Sequence, residues 1–274
     1  MREAGYATLR GFVGPAILAR LRDAVETALQ APVIPGCERP HNRLVPLRWN
    51  DPVVSLLLAG AERRRAMRTV TGADDLRWIS GYISVKEART PALWWHQDWW
   101  CWDHPISFHA APVQVAVLVY LSDTNEASGA LRLLPGSHRR SVPLHGVLPG
   151  AHRHGENLPR DHAAFGDQPG QVTLSAAAGD AVVLDYRLLH GTHPNDSGAR
   201  RDCILLSFAP SWRSLPSDLR AHLIQHLALP RPDERPPRAR WRAELLPSFD
   251  DEPADLPLNR DAPARFAVTA QSRE

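Results

Sequence analysis

The chain has 274 residues, an apolar fraction of 43% and a formal net charge of +2, values typical of a soluble globular protein with a sizeable core. It carries no long basic stripe, no long apolar run and no N-terminal signal segment, and its three widely spaced cysteines form no zinc pattern. We therefore expect a cytoplasmic protein that binds neither nucleic acid nor a membrane.

The N-terminal part predicts helices that support a sheet. The predicted elements are a strand over residues 5–13, a helix over 15–30, an irregular loop over 31–50 and a second helix over 53–70. Pro15 and Pro52 stand at the first helical positions, where the missing N–H costs nothing. The basic run Arg63-Arg64-Arg65 is most simply a solvated helix face.

From residue 76 onward the pattern becomes β. Strands are predicted over residues 76–86, 93–98, 113–121, 130–134, 171–175, 181–186 and 202–209. Many short strands with few helices favour a barrel or a double-sheet jelly roll in a single domain, residues 1–229. The run 113–121 is almost continuously apolar, which predicts a strand covered on both faces.

Three further segments complete the chain. The stretch 138–170 is long and without periodicity, which favours a lid or binding loop, and we expect it to order over a bound substrate. A helix is predicted over residues 217–229. A Pro/Arg-rich C-terminal extension then follows over residues 230–274.

The candidate chemistry centres on a run of aromatics that encloses His96 and Asp98. On an extended strand these two side chains share a face, so both can bind one ion. Two imidazoles and one carboxylate suit Fe(II), and His190 is the best third ligand. A lone His-x-Asp is a weak signal, and a solvated pair is the plain alternative.

Five stretches in order carry a family resemblance. They are the opening strand from Gly5-Tyr6 to Val13, Trp95-His96-Gln97-Asp98, Tyr120-Leu121-Ser122-Asp123-Thr124 with Ser128-Gly129-Ala130-Leu131, Leu134-Pro135-Gly136-Ser137-His138, and His190-Gly191-Thr192 followed eleven residues after the histidine by Arg201. Together they resemble the phytanoyl-CoA dioxygenase family of Fe(II)- and 2-oxoglutarate-dependent oxygenases, from about residue 5 to about residue 210.

The resemblance implies a mainly β, double-stranded β-helix fold, a cupin-like jelly roll with flanking helices. It also implies a dioxygenase that uses Fe(II), 2-oxoglutarate and O2 to hydroxylate a small-molecule substrate, and a monomer or small homo-oligomer. His96, Asp98 and His190 would be the metal ligands. Arg201 and Thr192 would hold the co-substrate, with Lys86, the only lysine, as a further contact.

Several alternatives stay open at this point. Arg200 competes with Arg201, because strand neighbours face opposite ways and only one can point inward. Trp100 and Trp102 share the parity of the ligands and could wall a substrate pocket, or could be ordinary core. His138 is a turn residue near the site and a further candidate for the substrate pocket. The same oxidant could perform desaturation or ring chemistry, natural-product biosynthesis being one setting, or the jelly roll could be a metal-binding sensor without turnover.

Overall fold

The computed structural model describes residues 1–31, 38–39, 42–150, 157–234 and 239–268. Its strands are β1 (Tyr6–Leu9), β2 (Glu38–Arg39), β3 (Asn42–Leu47), β4 (Arg77–Lys86), β5 (Leu93–His96), β6 (Val115–Tyr120), β7 (Leu131–Leu133), β8 (Val172–Leu174), β9 (Ala181–Asp185), β10 (His190–Thr192) and β11 (Arg201–Ala209). Its helices are α1 (Pro15–Leu29), α2 (Pro52–Leu58), α3 (Ala61–Thr71), α4 (Ser217–Leu223) and α5 (Arg240–Leu245).

The strands form two antiparallel sheets. The large sheet has the order β1-β9-β6-β11-β4-β3-β2, and the small sheet has the order β5-β10-β7-β8. Several neighbouring strands are far apart in sequence, as are β1 and β9 or β5 and β10, which is the connectivity of a jelly roll. The predicted mainly β jelly roll with flanking helices is confirmed.

Alternation along the strands divides the core into layers. On β6, Val115, Val117 and Val119 face the cluster that includes residues of α1, α2, α3 and α5, whereas Ala116 and Leu118 face the cluster between the two sheets. The continuous apolar run is thus covered on both faces, as predicted. No helix among the described residues is both long and apolar enough to cross a membrane.

The predicted loop over residues 31–50 is wrong for its second half. Asn42–Leu47 forms β3, which pairs with β4 from Arg43 against Val85 to Leu47 against Gly81. The four prolines of the segment argued against a strand. However, β3 has only the two-residue β2 as its other neighbour, so Pro46 sits close to a sheet edge, where a missing N–H is tolerated.

The predicted single helix over 53–70 is two helices. The chain breaks at Gly60, whose extended backbone (ψ 114°) precedes α3. Arg63 donates to Leu57 O at 2.8 Å, and Arg64 donates to Leu58 O at 2.8 Å, so both satisfy carbonyls at the end of α2. Arg64 is only 4% exposed, so the prediction of a solvated basic face is wrong for this residue.

The predicted helix over 217–229 ends earlier, at Leu223. Beyond it, the described part of residues 230–274 packs against the domain. Trp241 and Leu245 of α5 join the outer core, and Phe266 lies against Trp102 with ring centroids 4.9 Å apart. The segment therefore contributes buried apolar surface to the same core.

The described parts of the 138–170 loop pack on the outer face of the small sheet. Trp95, which points away from His96, donates from its indole to Gly166 O at 2.9 Å, and Arg132 donates to Phe165 O at 3.0 Å. Residues 151–156 lie outside the described part of the chain. None of the described residues of this loop lines the cavity, and its ordering over a bound substrate stays a prediction.

Two buried ionisable groups of the fold, Asp180 and His145, have shifted pKa values. Asp180 accepts hydrogen bonds from Gly11 N, Ala177 N and the guanidinium of Arg10; burial alone would raise the pKa of this carboxyl, but these bonds lower it below its usual range. His145 accepts from Val142 N and packs edge-on against Phe266, and burial lowers the pKa of its imidazole to about 4.

Candidate metal centre and cavity

The three expected ligands meet at one end of the small sheet. His96 at the end of β5 and His190 at the start of β10 are direct cross-strand partners, and their ring centroids lie 4.2 Å apart. Asp98 follows after the chain has left the strand, and its backbone N–H donates to Tyr186 O at 2.8 Å. The pairing of two strands and one backbone hydrogen bond thus bring the three side chains together.

The distances between the three side chains fit a metal site. Asp98 Oδ1 lies 4.0 Å from His96 Nε2, and Asp98 Oδ2 lies 3.7 Å from His190 Nε2. Both distances are too long for a hydrogen bond. The ligand atoms of the three residues all lie within 4.8 Å of one another, so small side-chain shifts would bring them around one ion.

The other nitrogen of each ring fixes the tautomer. His96 Nδ1 lies 2.9 Å from Trp94 O, and His190 Nδ1 lies 3.0 Å from Leu188 O. A carbonyl only accepts hydrogen bonds, so in the neutral ring Nδ1 carries the proton and Nε2 is the nitrogen that can bind a metal. Within the described ranges, no other group of at least three His, Cys, Asp or Glu residues is arranged to hold an ion.

A cavity of about 380 Å³ extends from this triad between the two sheets. The large sheet contributes alternate, inward-facing residues of β4 and β11, and the small sheet contributes residues of β5, β7 and β10. The inward-facing positions are Ser80, Tyr82 and Ser84 on β4 and Arg201, Cys203 and Leu205 on β11.

Arg201 and Arg200 lie on opposite sides of the large sheet. Arg201 is 4% exposed, lines the cavity and lies over the ring of Tyr120, with 5.7 Å from its Cζ to the ring centroid. Among the described residues, nothing accepts a hydrogen bond from its Nε. Arg200 instead forms ion pairs with Glu26 and Asp202 at the surface. The strand register therefore selects Arg201 as the guanidinium inside the cavity.

Two other predicted site residues reach the cavity. Thr192 lines it, and its hydroxyl oxygen accepts from Leu93 N at 3.3 Å, which leaves the hydroxyl proton able to donate. Trp100 lines the cavity at another point, where its indole donates to Gln114 Oε1 at 2.9 Å. Gln114 in turn donates to Ser207 Oγ at 2.7 Å, so the ring of Trp100 is held in place.

Three predicted site residues do not line the cavity. Lys86 donates to Pro91 O at 2.7 Å, and burial with the nearby charge of Arg201 lowers the pKa of its ammonium to about 7. Trp102 is 1% exposed and is a core residue. His138 is buried against the N-terminal segment, and its Nε2 lies 3.1 Å from the backbone oxygen of Arg2.

Several residues of the cavity wall were not predicted. They are His222 and Leu223 of α4, His226 just after it, and Leu258 and Arg260 of the C-terminal segment, together with Asn42 and Leu44 of β3. In the predicted helix over 217–229 the spacing of four between His222 and His226 would give a shared face, although α4 itself ends at Leu223. Leu258 and Arg260 lie in an irregular segment, whose position no periodicity could indicate.

The comparisons with known proteins agree with this geometry. A family model described as phytanoyl-CoA dioxygenase matches residues 1–203. The chain is 27% identical over 155 residues to the ectoine dioxygenase of Bordetella parapertussis, covering 54% of this chain and 50% of the relative. It is 28% identical over 137 residues to the L-proline trans-4-hydroxylase of Streptomyces griseoviridis, covering 45% of this chain and 50% of the relative.

The match to these curated relatives therefore spans about half of their length. Among solved structures, the chain is similar to HygX from Streptomyces hygroscopicus, crystallised with nickel, 2-oxoglutarate and hygromycin B bound. The TM-score is 0.56 at 22% identity, covering 76% of this chain and 84% of HygX. At this identity the similarity establishes the jelly-roll fold.

Proposed function

This chain belongs to the phytanoyl-CoA dioxygenase family, and we propose that it is a non-haem Fe(II)- and 2-oxoglutarate-dependent dioxygenase that hydroxylates a C–H bond of a small metabolite. The observation that carries the proposal is the triad of His96, Asp98 and His190, with both imidazoles held in the tautomer that leaves Nε2 for a metal. Two histidines and one carboxylate with open positions are the ligand set of non-haem Fe(II) oxygenases.

The residues of the site have separate roles in this proposal. His96, Asp98 and His190 would hold the iron, and the carbonyls of Trp94 and Leu188 keep the two rings oriented. When bound, iron, 2-oxoglutarate and O2 supply an oxidant able to remove hydrogen from a C–H bond, with release of succinate and CO2. The protein's own contribution is to orient the reactants and to exclude water.

Arg201 is the residue that we assign to the far carboxylate of 2-oxoglutarate. A planar guanidinium matches a carboxylate with two parallel hydrogen bonds, and burial strengthens such a pair because water does not screen it. Thr192 lines the same cavity and can add a hydroxyl donor. Lys86 is not part of this assignment, because its side-chain nitrogen donates a hydrogen bond to Pro91 O.

The size of the cavity supports a small substrate. A volume of about 380 Å³ lies at the low end of the range of ~300–1,000 Å³ for ligand sites, and 2-oxoglutarate must share it. The two curated relatives are named for ectoine and L-proline, both small metabolites. We therefore propose a substrate of comparable size.

The proposal is tested by Asp98→Ala, which leaves the ion with two protein ligands. We expect wild-type protein to form succinate only with Fe(II) and 2-oxoglutarate, and the variant to lose both succinate formation and tight Fe(II) binding. Asp74→Ala is the matched control, because Asp74 is an exposed aspartate outside the cavity.

Thermal unfolding of each variant establishes that it is folded. Succinate formation by Asp98→Ala at a rate near that of the wild type would refute the metal assignment. If the wild type binds metal and 2-oxoglutarate but never forms succinate with any substrate of a metabolite library, the chain is a ligand-binding jelly roll rather than an enzyme.

A further inference from the structure

The cavity has two ends, and Arg201 occupies only one of them. Ser207 lies six positions after Arg201 along β11, which is ~20 Å at ~3.3 Å per residue of strand. Gln114 donates a hydrogen bond to Ser207 and accepts one from Trp100. Trp100 therefore lies at the end of the cavity opposite Arg201. The ring of Trp100 lies 4.9 Å from that of His222, which brings α4 to the same place.

The C-terminal segment closes this second end. Its backbone is fixed next to the metal-binding motif, because Trp102 N donates to Asn259 O at 2.9 Å and Gln97 Nε2 donates to Arg260 O at 3.0 Å. Gln97 stands between the ligands His96 and Asp98 in sequence. Arg260, on a segment beyond the residues that the family model matches, lines the cavity.

The cavity wall has an arginine at each of its two ends. Of the described residues that line it, Asp98 is the only acid. Arg201 and Arg260 are the two arginines of the lining, and Arg201 is assigned to 2-oxoglutarate. Burial first, and then the charge of Arg260, lower the pKa of His222, although Asp255 opposes this. Arg260 is thus the permanent cation at the end of the cavity that contains Trp100.

We propose that Arg260 binds an oxyanion, a carboxylate or a phosphate, of the organic substrate, and that the substrates are small acids whose body packs against Trp100 and Leu223. This inference rests on the proposed function and names the substrate class of the same site. A guanidinium binds such a group through two parallel hydrogen bonds. The limited volume, shared with 2-oxoglutarate, excludes a large acid.

The test measures binding rather than turnover. Wild-type protein is loaded with Ni(II) and saturating 2-oxoglutarate, so that Arg201 is already occupied. Acids and their uncharged amides are then titrated in matched pairs by calorimetry: N-acetyl-L-proline with N-acetyl-L-prolinamide, benzoate with benzamide, and cyclohexanecarboxylate with its amide. Methyl phosphate and trimethyl phosphate form a fourth pair, which separates phosphate from carboxylate recognition.

We expect at least one acid to bind the wild type roughly ten- to a hundredfold more tightly than its uncharged partner, the range for a charge-assisted hydrogen bond. Arg260→Ala should remove this preference, and Arg260→Lys should keep part of it. Arg265→Ala is the matched control, because Arg265 is exposed on the same segment and does not line the cavity.

A preference for acids that survives in Arg260→Ala, or no preference in the wild type for any pair, would overturn the inference. Binding of 2-oxoglutarate to the Ni(II)-loaded protein is measured first in every variant. Failure at that step counts against the proposed function, whereas normal 2-oxoglutarate binding with an unchanged acid preference in Arg260→Ala counts against Arg260 alone.

Discussion

Replacing Arg201 with alanine should weaken 2-oxoglutarate binding severely while leaving metal binding intact. The guanidinium is 4% exposed and lines the cavity, so its loss leaves a dicarboxylate without its main cation in a poorly solvated place. Truncation of one partner of a buried charge pair costs ~2–5 kcal/mol. This corresponds to roughly a thirty- to several-thousand-fold rise in the Kd for 2-oxoglutarate.

Arg200→Ala is the internal control for this prediction. The side chain of Arg200 is 32% exposed and pairs with Glu26 and Asp202, and surface pairs of this kind contribute about 0–1 kcal/mol to stability. We expect an unchanged Kd for 2-oxoglutarate in this variant. Arg201→Lys should lie between wild type and Arg201→Ala, because an ammonium keeps the charge but loses the planar fork.

The assay is anaerobic titration of 2-oxoglutarate into Fe(II)-loaded protein, followed by calorimetry, with the Fe(II) affinity measured separately. Near wild-type 2-oxoglutarate binding in Arg201→Ala would refute the assignment of this residue. A large loss of 2-oxoglutarate affinity in Arg200→Ala, without such a loss in Arg201→Ala, would mean that Arg200 binds the co-substrate. That result would contradict the strand register.

Three further predictions concern packing and pH. In Gly191→Ala the added methyl would lie 3.0 Å from a backbone oxygen of β5, so metal affinity should fall as the two histidine-bearing strands separate, whereas Gly198→Ala, with open space, should bind metal normally. Asp180→Asn should lower the free energy of unfolding at pH 7 by about 1–3 kcal/mol, and, because the folded-state pKa is depressed, the difference from wild type should vanish as denaturation curves are taken below pH ~4. The pKa of His145 is lower in the folded than in the unfolded state, so protonation at low pH favours unfolding. The free energy of unfolding of the wild type should therefore fall by on the order of 3 kcal/mol between pH ~6.5 and pH ~4. In His145→Gln it should fall by less over the same interval.

Local pattern determined much of the fold and the metal site. Residues close together in sequence determine the alternation of β6 and the starts of the helices at proline. These features can therefore be predicted without knowing the packing, as can the order of the motifs. The positions of His96 and His190 also follow from sequence, since ligand chemistry requires particular side chains. Strand alternation required only that one of Arg200 and Arg201 points inward; the spacing of eleven from His190 in the resembled family favoured Arg201, and the structure places Arg201 in the cavity.

Only the tertiary structure decided what surrounds the metal site. Lys86 and Trp102 have the sequence parity expected of residues that face the site. However, Lys86 donates a hydrogen bond to Pro91 O, and Trp102 packs against Phe108 and Phe266. Arg260 carries no local signal, because its place depends on hydrogen bonds from Gln97 and Trp102, far away in the chain. Periodicity reports which face of an element is buried, but it does not report which distant segment covers that face, and this is why the walls of the cavity could be found only in the folded chain.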